Sequence, residues 1–296
     1  MPGSENFLED ALPKSALIAG CGDIGLRVAA RLRAMGREVT GVVRSEQSAA
    51  ALEAASVRTL VMDLDVEMAM AVDKYPLVFW FAPPSSTGDT DPRLRRFLAA
   101  LPPQHTRIVY ISTSGVYGDC GGRWIDEDEP LKPLSARARR RLDAEHALGA
   151  WGGDHVILRV PGIYGPGRWP LARLRQGLPV LRESESPYTN RIHADDLAGA
   201  ALHAAARGKT GAAYNISDGQ PTTMCDYFTR CAQLLGLPAP PQVTLEEARR
   251  VFTPAMWSFM EESKRLINRR MIEELGYTPR YAGLEQGLVA SLPEPE

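Results

Sequence analysis

Short apolar runs, separated by stretches of helical spacing, set the frame of this chain. Ser15-Ala-Leu-Ile-Ala19 is small and aliphatic throughout, the pattern of a strand buried on both faces, and it ends at a glycine. Leu26, Val28, Ala29 and Leu32 then return at the spacing of an amphipathic helix. Residues 37–43 form a second β-branched run, 57–63 a third and 77–82 a fourth, with a short Ala-rich helix expected before the third and before the fourth. A helix is predicted over 92–101, stopped by Pro102-Pro103, and a fifth strand over 107–111. Strands alternating with helices predict an α/β fold, a Rossmann-type doubly wound parallel sheet with a smaller C-terminal substrate lobe.

The turn between the first strand and helix carries the first candidate chemistry. Gly20, Gly22 and Gly25 have the Gly-x-Gly-x-x-Gly spacing: a tight turn, a close approach of phosphate to backbone, and close packing of helix on strand. Asp23 and Ile24 open the helix, whose N–H groups and positive dipole end would face a pyrophosphate. The plain alternative is a tight turn with no ligand. At the end of the second strand, Arg44 is suited to a ribose 2′-phosphate, with Ser45 as a second donor, so NADP is favoured over NAD. Asp63 either caps the turn after the third strand or reaches the adenine edge. Ala82 and Pro83 begin a stiff wall after the fourth strand, along which a dinucleotide would run.

Composition narrows the classes. The chain has 296 residues, and its formal charge of −2 leaves no basic footprint for nucleic acid. No stretch is long and apolar enough to span a membrane. Cys21, Cys120, Cys225 and Cys231 are scattered without ligand spacing, which argues for reduced thiols in a cytoplasmic protein and against a metal site. Residues 1–13 read as a flexible tail, 14–160 as the dinucleotide-binding domain with 191–217 returning to it, and 161–190 with 218–296 as the substrate lobe.

The fifth strand runs into Ser112-Thr-Ser-Gly-Val-Tyr-Gly118, a cluster of hydroxyls at the carboxyl end of a central strand. Here the chain resembles the extended short-chain dehydrogenase/reductases, the NAD-dependent epimerase/dehydratase superfamily, whose fifth strand ends in Ser/Thr-x-x-Val-Tyr-Gly. The resemblance extends through Pro133-Leu-Ser135, Leu158-Arg-Val-Pro-Gly-Ile-Tyr-Gly-Pro-Gly167, Arg191-Ile-His-Ala-Asp-Asp-Leu197 and Tyr214-Asn-Ile-Ser-Asp-Gly219. It implies a nicotinamide cofactor, a small-molecule substrate and Thr113 in the catalytic Ser/Thr place.

One part of that pattern is broken. The superfamily's Tyr-x-x-x-Lys pair falls at Arg137 and Arg141, four residues apart and so on one helix face. A guanidinium stays protonated and only donates, so Arg137 cannot be a general base. Thr113 and Ser114 remain as hydroxyl donors, Tyr117 and Tyr164 as phenols that would have to substitute, and the two arginines either as a positive pair for an anion or as part of a solvated helix face. Tyr164, Arg168 and Trp169 suit a substrate lobe that takes an anionic or sugar-like molecule. His193 before Asp195 and Asp196 is read as a helix cap. Arginines at 93, 95, 96, 137, 139, 140 and 141 crowd two helices through which such proteins pair, so a monomer or weak homodimer is expected. Two functions remain: an NADP-dependent oxidoreductase or epimerase, and a non-catalytic NADP sensor that kept the grip and lost the base.

Overall fold

The computed structural model describes residues 4–66, 74–257 and 260–292. Helix α1 (Ser4–Ala11) precedes strand β1 (Ser15–Ala19), followed by α2 (Asp23–Ala34), β2 (Glu38–Val43), α3 (Glu46–Ala54), β3 (Arg58–Val61) and β4 (Leu77–Trp80). Then come α4 (Pro92–Ala100), β5 (Arg107–Thr113), α5 (Ala136–Trp151), β6 (Asp154–Val160), β7 (Gly162–Tyr164), β8 (Arg191–His193), α6 (Ala194–Arg207), β9 (Ala213–Asn215), α7 (Met224–Leu234) and α8 (Leu284–Val289). The Ala-rich helix expected before β4 falls on residues 67–73, outside the described residues.

Seven strands form one parallel sheet in the order β9-β6-β5-β4-β1-β2-β3. The order reverses between β1 and β4, and a ligand crevice belongs outside the carboxyl ends of the strands at that point. Two apolar cores cover the faces. Ile24, Val28, Ala29 and Leu32 of α2 join Leu197, Ala201 and Ala204 of α6 on one face. Leu94, Phe97 and Leu98 of α4 join Ala144, Ala147 and Leu148 of α5 on the other. Asp91 caps α4 by accepting from Arg93 N and Leu94 N, and Ser135 Oγ caps α5 through Ala138 N at 3.2 Å.

The N-terminal segment is not a tail. Leu8 and Leu12 are buried in the first core, and α1 packs on α6. A separate core of Tyr164, Leu174, Val180, Cys225, Phe228 and Leu288 builds the lobe over the cleft. The arginine-rich helices are not uncompensated positive faces. Arg93 pairs with Asp65, Arg95 with Asp143, and Arg139 with Asp89, so like-charge repulsion no longer argues for a monomer. Among the described residues no helix is long and apolar enough to cross a membrane, and no cluster has metal-ligand composition.

Candidate functional site

Each glycine of the first turn does a separate job. Gly20 has φ of +81°, and a Cβ there would stand 2.4 Å from Ala82 N, so the turn after β1 lies directly against the chain leaving β4. A Cβ on Gly25 would meet Cys21 Sγ and Ile18 Cγ2, both at 3.1 Å, where α2 packs on β1. Gly22 has nothing within 4 Å of its Cβ position and faces open space. No side chain caps α2, leaving its first N–H groups for a ligand. This open cradle at an uncapped helix N-terminus fits the pyrophosphate of a dinucleotide.

A cavity of about 400 Å³ opens from this turn, lined at one end by Val43, Arg44 and Ser48 and at the other by Phe81, Pro83, Ile111, Arg141 and Ile163. Arg44 follows β2 and Ile111 lies in β5. In the order β2-β1-β4-β5 these strands are three spacings apart, about 14 Å, a span suited to a dinucleotide lying across the sheet edge. The Arg44 side chain is 74% exposed and its Nε lies 3.8 Å from Asp63 Oδ2. Ser45 Oγ accepts from Ser48 N and caps α3. Asp63 Oδ1 accepts from Asp65 N at 2.9 Å, so Asp63 caps its turn and does not line the cavity. Ala82 is buried just behind Pro83.

The two arginines of the broken pair separate. Arg141 reaches the sheet edge: its Nη1 donates to Ile111 O at 2.7 Å, stands 3.5 Å from Ala82 O and 3.3 Å from Tyr110 Oη, and lines the cavity. Arg137 is exposed in the first turn of α5 and lines no part of it. Thr113 is half-buried and does not itself line the cavity, but it stands two residues beyond Ile111 on β5 and so on the same face; its Oγ1 accepts from Gly115 N at 3.2 Å and keeps its own proton to donate. Ser114 is buried in the turn that follows.

Neither phenol can stand in for the missing tyrosine. Tyr117 is buried, donates to Asn215 Oδ1 at 2.7 Å and accepts from Arg159 Nη1 at 3.1 Å, and burial raises its pKa. Arg159 in turn pairs with Glu145 at 2.9 Å inside the same buried network. Tyr164 is buried in the lobe core with its pKa raised by burial, its hydroxyl without a partner among the described residues. Strand parity explains the misplacement: β7 turns Ile163 into the cavity and Tyr164 away from it. The alternation was readable in the sequence. Trp169 also serves packing, its Nε1 donating to Ser291 O at 2.6 Å. Arg168 lines the cavity, but at the glycine turn, where its Nε donates to Asp23 Oδ2 at 2.7 Å.

The remaining titratable groups of the cavity are poor bases. Burial pushes the Cys21 thiol up to about 12. Desolvation would raise the Asp23 carboxyl, yet the hydrogen bonds and charges of Arg168 and Arg27 hold it below its ordinary value. His193 is the cap it was read to be: Nδ1 accepts from Asp195 N at 3.1 Å, and burial lowers its pKa.

Residues 20–207 match the family model described as NAD(P)H-binding. The chain belongs to this family, within the NAD-dependent epimerase/dehydratase superfamily. Over 242 residues, 77% of this chain and 86% of the relative, it is 28% identical to Protein YeeZ of Escherichia coli K12. A functionally unknown conserved protein from Silicibacter pomeroyi DSS has a similar structure, with TM-score 0.83 and 32% identity over 94% of this chain and 98% of that one. The fold is also that of UDP-glucuronic acid 4-epimerase from Bacillus cereus, solved in complex with NAD, at TM-score 0.76 and 18% identity over 94% and 97% of the two chains. The family carries a nicotinamide cofactor, and the cradle at Gly22 and α2 fits one here.

Proposed function

We propose that this protein is an NADP(H)-dependent oxidoreductase that reduces the carbonyl of a small anionic or sugar-like molecule. The observation that carries the reading is Arg141: a guanidinium fixed on Ile111 O, lining the cavity at the end farthest from Arg44. Removing a proton from an alcohol needs a base, and no cavity-lining group among the described residues is a competent one. In either direction negative charge develops on that oxygen as the hydride moves, and a guanidinium stabilises it without losing its own proton, so the oxygen's proton is exchanged with solvent rather than with a side chain.

The Gly22 cradle and Arg44 would hold a reduced nicotinamide dinucleotide, which would supply a hydride to the carbonyl carbon. Arg141 orients the carbonyl and holds the developing alkoxide, Thr113 offers a second O–H donor from the end of β5, and the neutralising proton comes from solvent. Arg44 at the opposite end supplies the preference for the 2′-phosphate.

The test follows nicotinamide absorbance across a panel of anionic and sugar-like carbonyl compounds, comparing wild type with Arg141→Ala and Arg137→Ala. Arg141→Ala should lose about 10²–10³-fold in turnover, the usual cost of one such donor, while Arg137→Ala stays near wild type. Full turnover in Arg141→Ala refutes the proposal. NADPH binding without oxidation by any compound would make the protein a cofactor sensor.

A further inference from the structure

One ion pair bridges the cofactor cleft. Arg168 sits on the loop that leaves β7, at the base of the lobe, and its Nε meets Asp23 Oδ2 at 2.7 Å on the first residue of α2. Both residues line the cavity beside Gly22, so the pair lies across the place where the helix N-terminus would receive a pyrophosphate.

The pair is built so that it can open. Asp23 has a second partner, Arg27, whose Nε donates to Oδ1 at 2.8 Å, and Arg27 Nη1 also donates to Asp195 Oδ1 at 2.6 Å. If Arg168 departs, the Asp23 carboxylate stays compensated. Arg168 itself has no other carboxylate within 4 Å among the described residues, and its side chain is 34% exposed, so it is free to take a new anion. Gly165 and Gly167, with φ of +144° and +73°, shape the loop before it in conformations other residues rarely adopt.

We propose that Arg168 is a pyrophosphate ligand held in reserve: when the dinucleotide enters, its guanidinium passes from Asp23 to the phosphates and ties the lobe to the cofactor. An Arg–phosphate contact can be bidentate and charge-assisted, whereas Asp23 receives a single N–H from Arg168. The inference rests on the cofactor reading above and adds a residue from outside the glycine turn to the grip. It also replaces the role in substrate binding expected for Arg168 from the sequence.

A double-mutant cycle read by calorimetric titration tests it. NADPH, ADP and 2′-AMP are titrated into wild type, Arg168→Ala, Asp23→Asn and the double variant. Arg168→Ala should weaken NADPH and ADP by about tenfold and leave 2′-AMP, which has no pyrophosphate, unchanged. Asp23→Asn should tighten NADPH in the wild-type background and by much less once Arg168 is gone, because the gain comes from releasing Arg168. An unchanged ADP affinity in Arg168→Ala overturns the inference. So does an equal gain from Asp23→Asn in both backgrounds, which would be simple repulsion between carboxylate and phosphate. If wild type binds neither NADPH nor ADP, the cofactor reading itself fails. Thermal melts accompany each titration, and Arg168→Gln, closer in volume, replaces the alanine variant if that one melts early.

Discussion

Substituting alanine at Gly20 and at Gly22, two residues apart in one turn, should have opposite consequences. At residue 20 the new Cβ would lie 2.4 Å from Ala82 N and 2.5 Å from Ala82 Cα. That backbone cannot easily yield, because Phe81 N and Ala82 N both donate to Ala19 O at 2.8 Å. A φ of +81° adds strain of about 1–2 kcal/mol, and forcing two packed backbones apart costs about 1–3 kcal/mol more. Together Gly20→Ala should lose about 2–5 kcal/mol, a large share of the roughly 5–15 kcal/mol that holds a typical domain. At about 2–4 °C per kcal/mol, Tm should fall by about 4–20 °C. Gly22 has φ of −84° and no atom near its Cβ position, so Gly22→Ala should melt within about 0.5 kcal/mol of wild type. Its methyl group would instead occupy the space left for a phosphate, costing at least about tenfold in NADPH affinity. Differential scanning calorimetry and cofactor titration separate the two outcomes. A wild-type Tm for Gly20→Ala, or wild-type NADPH affinity for Gly22→Ala, would refute this account of the turn.

Two further outcomes follow from the described geometry. Thr113→Val should cut turnover about 10²–10³-fold while leaving NADPH affinity intact, and should cost about 1 kcal/mol of stability through the lost bond from Gly115 N; steady-state rates and melts check both. Burial pushes the Asp218 carboxyl up to about 7, with Gln220 N, Arg191 and Asp196 also acting on it. The folded chain therefore holds this proton at pH values where the unfolded chain has lost it, and stability should fall as pH rises from about 4 to about 7, by at most about 1.4 kcal/mol per unit from this group. Asp218→Asn should flatten that slope in urea titrations across the window, and an unchanged slope would show that Asp218 is not its source.

What was legible in the sequence was local. The tight turn at Gly20 and the close packing at Gly25 follow from backbone sterics within a few residues, and the alternation of strands and helices follows from apolar spacing. The cap at His193 was legible for the same reason. What escaped depends on partners distant in the chain. Leu8 and Leu12 lie one helical turn apart, but a helix as short as α1 persists only because α6 covers it. Arg137 and Arg141 share a helix face, yet only the second lies over the sheet edge, which no spacing within α5 can reveal. The arginines of α4 and α5 looked repulsive because Asp65 and Asp89 come from other segments and Asp143 pairs across to α4. Tyr164 was misassigned for a local reason, since alternation along β7 already put Ile163 on the other face.

In the function proposed above, the cleft between Arg44 and Arg141 binds a dinucleotide and recognises its 2′-phosphate. Arg44 is exposed, and its contact with Asp63 at 3.8 Å is a surface pair of the kind worth about 0–1 kcal/mol, so it is readily given up. A charge-assisted bond to phosphate contributes about 1.5–3 kcal/mol. The most direct measurement is calorimetric titration of wild type and Arg44→Ala with NADPH and NADH. Wild type should bind NADPH at least about tenfold more tightly than NADH, and Arg44→Ala should bring the two affinities together by weakening NADPH alone. Equal affinities in wild type, or a preference for NADPH that survives the loss of Arg44, would contradict that reading.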